Sequence, residues 1–149
     1  MKNLTRSLLA LSCALALSAC NKQEDPAETT ADVNEAQVEA QAEVSDAATD
    51  AMATAAEGNQ DIAEAATESS DELKDATAGA VDDNAKAHYD LMIAKADGEL
   101  KVAKEKCDAL PSGEQSACNA TAKAAYETAK TAAGVERDAT EAAADAMKK

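Results

Sequence analysis

Phenylalanine and tryptophan are absent from this 149-residue chain, and it has only two tyrosines and one histidine. Aromatic and branched apolar side chains supply most of the surface that a globular core removes from water. From Cys20 onward, Leu, Ile, Val and Phe together fill only 12 of 130 positions. So low a fraction combined with a high net charge belongs to chains that struggle to bury a core. A catalytic pocket needs a core to hold its groups rigid, so no enzyme is expected. With His88 as the only histidine, neither a histidine-based triad nor a histidine-rich metal site can be assembled. The five glycines are isolated, at 58, 79, 98, 113 and 134, so no glycine-rich phosphate loop exists. EF-hand spacing is missing too, and no catalytic residue, metal ligand or cofactor is assigned.

Alanine dominates what is present, with 40 residues. It is the best helix former and loses no side-chain entropy on ordering, so helix without much core is the expected outcome. The fold class read from this composition is all-α. The formal charge of −15, from 29 acids against 14 bases, argues against nucleic acid and against anionic membrane surfaces as partners.

The N-terminus reads as an address. Lys2 and Arg6 precede a thirteen-residue stretch, 7–19, dominated by Leu and Ala. As a helix rising about 1.5 Å per residue it is too short to cross a hydrocarbon core of about 30 Å. It is expected to be a signal peptide, residues 1–19. The stretch ends Leu17-Ser18-Ala19-Cys20 and here resembles the lipobox of bacterial lipoproteins. Those proteins have Leu at −3, small residues at −2 and −1, and a Cys that becomes the first mature residue. Only six residues separate Cys13 from Arg6, and it is the poorer candidate. The resemblance implies that Cys20 carries a diacylglycerol on its thiol and a third acyl chain on its amino group, enough for stable membrane anchoring. Asn21, where inner-membrane lipoproteins commonly carry Asp, implies the outer membrane, facing the periplasm.

Charge divides the rest. Residues 20–83 hold 18 acids and two lysines, whereas residues 84–149 hold 11 acids and ten bases. The expected organisation is a lipidated tether over 20–30, an acidic alanine-rich helical segment over 31–83, and a helical hairpin over 84–149. In the acidic segment, Asp32, Glu35, Glu39, Glu43, Asp46 and Asp50 recur at steps of three and four, and the series resumes at Glu57, Asp61 and Glu64. A parallel stripe of small or apolar residues includes Val33, Ala36, Ala40, Val44, Gly58 and Ile62. Both have a mean step of about 3.6, the period of a helix with one acidic and one alanine face. Helix breaks are expected near Gly58-Asn59 and Gly79, with Asn59 or Asp61 capping the next helix. Like charges at i,i+4 oppose this helix, so the segment is expected to be marginally helical or partly disordered.

Tyr89, Ile93, Ala96, Leu100, Ala103, Cys107 and Leu110 form a heptad seam. A turn at Leu110-Pro111-Ser112-Gly113 follows, with Ser112 as the expected cap of the next helix. The return seam is Cys118, Ala122, Ala125, Ala129 and Ala132, then Ala139, Ala143 and Met147 or Ala146. Two seams about a short turn predict an antiparallel hairpin. Cys107 and Cys118 fall on them at similar distances from the turn, and their ten-residue spacing matches no CxxC motif. A disulfide staple is expected in an oxidising compartment, worth about 3 kcal/mol in the chain-entropy model. Lys106-Cys107-Asp108-Ala109-Leu110 and Ala122-Lys123-Ala124-Ala125-Tyr126 resemble segments of alanine-rich proteobacterial envelope proteins of uncharacterised function. That likeness implies no activity. The terminal Lys149 resembles the wall-linked lysine of murein lipoproteins, but its preferred reading, with Lys148, is charge complement to a helix C-terminus.

Two functional expectations follow. The first is a lipid-anchored structural or stress-related envelope lipoprotein without catalysis. The second is an adaptor whose hairpin face binds a periplasmic protein or pairs with itself.

Overall fold

The computed structural model describes residues 25–149, and over these the chain is entirely helical apart from its turns. There are three long helices, α1 (Pro26–Ala65), α2 (Ser70–Asp108) and α3 (Ser112–Met147). The expected signal peptide and Cys20 lie outside the described residues. Proline is pre-set for a first helical turn, and the Asp25 carboxylate accepts from the Ala27 N–H at 2.8 Å, so α1 starts at Pro26. The expected tether is therefore shortened, because residues 26–30 are already helix.

α2 packs against α1 on one side and α3 on the other, while α1 and α3 do not pack on each other. The result is a single layer of antiparallel helices with α2 in the middle. Three helices put the start of α1 beside the α2–α3 turn, and the end of α3 beside the α1–α2 turn. A helix of 36 residues is about 54 Å long, which sets the length of the layer.

The small-residue stripe of α1 faces α2. From Val33 to Ala65 its members are buried or half-buried, with Ala36, Gly58 and Ala65 fully so. The acidic stripe stays exposed, apart from the half-buried Asp32 and the Thr54 skip. Packing on α2 gives the acidic helix a partner, which offsets its own charge repulsion.

The expected glycine breaks do not occur. α1 runs through Gly58-Asn59, and α2 runs through Gly79. A helical glycine costs about 1 kcal/mol relative to alanine, too little to end a helix that packs along its whole length. The actual break is at 66–69, where Thr67 and Glu68 donate their N–H groups to the Glu64 and Ala65 carbonyls. The Ser69 hydroxyl then accepts from the Glu72 N–H at 3.2 Å, capping α2. Ser69 and Glu72 have the Ser-x-x-Glu spacing of a capping box, a local start signal for α2. Because of this turn the acidic segment is not one straight rod. α2 also continues unbroken through residues 83 and 84, so the shift in charge falls within one helix.

The interior is made of alanine. The buried apolar residues are eight alanines and Cys107, and Cys107 is the largest fully buried side chain among the described residues. The return seam of α3 is displaced from its expected phase. Ala122, Tyr126, Ala129, Ala133, Arg137 and Ala144 are buried or half-buried toward α2, whereas Ala125, Ala132, Ala139, Ala143 and Ala146 are exposed. A straight helix turns every 3.6 residues, so a seam stepped at 3.5 rotates away from its partner by about 20° per heptad. Alanine occupies both lines and could not reveal the drift.

Candidate functional site

The hairpin tip is the most constrained part of the layer. Cys107 and Cys118 are joined, with their Cα atoms 5.5 Å apart and Cys107 only 1% exposed. The expected staple is present. Gln115 adds a second tie that the sequence reading did not single out. Its Nε2 donates to the Asp108 carbonyl at 2.8 Å and to the Leu110 carbonyl at 2.9 Å, satisfying acceptors at the end of α2. Ser112 is not the cap; it is the first residue of α3, and Pro111 holds the cap position. Pro111 has no polar side chain to cap with, and its carbonyl accepts from the Glu114 N–H at 2.7 Å as the first turn of α3 closes.

Along the α2–α3 seam, the Arg137 guanidinium stacks 4.7 Å from the Tyr89 ring centroid. Its Nη2 also donates to Asp138 at 2.6 Å, and its Nε lies 3.5 Å from Glu141. Tyr126 lies on the same seam, and burial of its hydroxyl, reinforced by Asp97, pushes its pKa above the usual tyrosine value. His88 is exposed, with Nδ1 3.9 Å from Glu136 Oε1. Between α1 and α2, Lys101 donates to Glu43 at 2.5 Å, which raises the Lys101 pKa above its ordinary value.

The two broad sides of the layer differ in chemistry. On one side, α1 and α2 leave a groove of about 720 Å³ floored by Ala40, Val44, Ala48, Gly98 and Val102. Its rim carries Gln37, Gln41 and Ser45 from α1, and Lys95, Glu99 and Lys106 from α2. Glu99 and Ala103 also line a groove between α2 and α3 with Ala125 and Tyr126, so both open on the same side. A third groove, with Val81, His88 and Ala133, continues along this side, since residue 81 lies five helical turns before Glu99. The charged residues of these three grooves are two acids and three bases.

The opposite side is acidic. There, Asp50, Glu57 and Asp61 of the acidic stripe face Asp83 and Asp90 across a groove whose one base is Lys86. Asp90 is nine residues from Glu99, two and a half turns, which places it on the reverse of α2. Charge in this molecule is thus separated by face as well as along the chain.

Among the described residues no group of three or more His, Cys, Asp or Glu is arranged to hold a metal ion. No described helix is long and apolar enough to cross a membrane. Comparison with known proteins finds no matching family model, no matching curated protein and no matching solved structure.

Proposed function

We propose that this chain is a lipid-anchored structural lipoprotein of the bacterial cell envelope, held at the outer membrane through Cys20 and facing the periplasm. The observation that carries this reading is the Leu17-Ser18-Ala19-Cys20 sequence directly after a thirteen-residue apolar stretch with Lys2 and Arg6 before it. Two features of the folded part are in keeping with it. The chain enters the layer at one end and leaves at the other, about 54 Å away, so an anchored copy projects its far end from the lipid surface. The stapling disulfide suits an oxidising compartment. The layer offers open grooves between helices, and its role in this reading is mechanical.

The adaptor reading is favoured by one specific observation, the apolar grooves confined to the weakly charged side. It is compatible with the anchor, since a tethered protein can also dock.

The test is metabolic labelling with a clickable palmitate analogue. The wild type is expected to incorporate label and fractionate with membranes, and Cys20→Ala is expected to lose both. Label retained by Cys20→Ala, or none on the wild type, would overturn the proposal.

A further inference from the structure

A helical layer one helix thick leaves two broad sides open, and stable domains ordinarily cover an apolar side with a second layer. Here one side asks for such a cover. Val44, Val81, Met92, Leu100 and Val102 are all half-exposed, and among the described residues no side chain larger than Cys107 is fully buried. Val38 and Met52, each seven residues from Ser45 of the groove rim, are 67% and 74% exposed. They extend the same line along α1.

We infer that two copies of this chain pack face to face through the side bearing the alanine–valine grooves, each copy supplying the other's missing layer. Charge selects the occupant. The grooved side carries nearly balanced charge, while the acidic stripe lies on the reverse. Two copies approaching by this side keep both acidic faces in water and as far apart as the assembly allows, whereas a two-fold approach through the reverse sets acid against acid. A lipid surface fits less well. Interfacial helices carry large apolar side chains beneath a basic face, and here small side chains lie beneath an acidic one. The area is sufficient: three helices about 9 Å apart and about 54 Å long present roughly 1,400 Å² per copy, where a stable interface takes about 800 Å². A two-fold axis makes the patch its own complement, and small side chains let the two layers approach closely. The inference rests on the helices alone and does not depend on the lipid anchor.

The test uses the full chain in living cells, with a benzophenone amino acid incorporated in place of Met52 or Ala132. Two differently tagged copies are co-expressed. Both positions lie toward the grooved side, near the middle of their helices, and both are exposed in the single copy. Irradiation is expected to yield a covalent adduct of twice the chain mass containing both tags. The same group in place of Asp50, two residues from Met52 but on the acidic side, is expected to give no such adduct. Adding Met52→Glu to the chain bearing the crosslinker at 132 should reduce the adduct about tenfold or more, because a two-fold interface buries the new charge twice. Met52 is exposed, so this substitution leaves the single copy folded, which retained protease resistance will verify. Adducts only with another protein or with lipid, no adduct at all, equal adduct from position 50, or an adduct indifferent to Met52→Glu would each overturn the inference.

Discussion

Gly98 of α2 lies directly against Ala40 of α1: a Cβ built on Gly98 would sit 2.6 Å from the Ala40 Cβ and 3.3 Å from its Cα. Gly58 meets Ala80 in the same way at 2.8 Å. The helices touch through atoms that cannot swing aside, so these two glycines set how closely α1 and α2 approach. Gly79 and Gly134 have nothing within 4 Å of the same virtual atom.

The four glycines are therefore expected to respond to alanine with opposite signs. At Gly79 and Gly134 the substitution removes backbone entropy from the unfolded chain and should stabilise by about 0.5–1 kcal/mol. At Gly98 and Gly58 that gain is set against overpacking of about 1–3 kcal/mol, so the net effect should be destabilisation of about 1 kcal/mol. Thermal melts of the four variants measure this. Ala40→Gly added to Gly98→Ala should recover part of the loss, since the two positions share one contact. Four stabilising substitutions would mean that α1 is not packed on α2 as described.

Removal of the Cys107–Cys118 bridge should be costly for so thin an interior. The eleven-residue separation corresponds to about 3 kcal/mol of loop-closure entropy, and to a fall in Tm of roughly 10 °C. Cys118→Ala is expected to reproduce most of that loss. Non-reducing mass analysis after thiol blocking should find both cysteines unmodified and joined. Gln115→Ala should cost a further 1 kcal/mol or so, since two acceptors at the end of α2 lose their donor.

Alkaline pH should loosen the layer at identifiable points. The Lys101 ammonium is raised above its ordinary 10.5 by its hydrogen bond to Glu43, and Lys86 likewise by Asp82. Tyr126 is raised above 10.0 by burial and by Asp97. A group whose pKa is higher in the folded state holds its proton more tightly there. Its contribution is complete below the unfolded value and is lost as pH rises through the folded one. Stability should therefore hold level to about pH 9.5 and decline above it. Lys101→Met and Tyr126→Phe, compared by denaturant titration at pH 8 and pH 11, should each show a smaller decline than the wild type.

The composition and periodicity were enough for the helical class, the alanine face of α1 and the pairing of Cys107 with Cys118. Each depends on local spacing: alanine favours helix wherever it falls, a step of 3.6 puts Ala36, Ala40, Val44 and Gly58 on one side, and two cysteines about a proline turn meet when the helices fold back. The turn at 66–69 was also written in the chain, as Ser69 and Glu72, but glycine was the stronger-looking breaker. Only the packed structure decided that Gly58 and Gly98 are contacts and Gly79 is neither contact nor break, because the difference lies in what stands opposite, at Ala80 and Ala40. The phase of α3 was undetermined for a related reason. With alanine on adjacent lines, burial of Ala133 and exposure of Ala132 depend on where Tyr126 and Arg137 find room against α2, not on any contrast between the alanines themselves. The arrangement as a layer, with grooves on one side and the acidic stripe on the other, is likewise a tertiary outcome. It follows from α1 and α3 choosing opposite flanks of α2, and no spacing within a single helix encodes that choice.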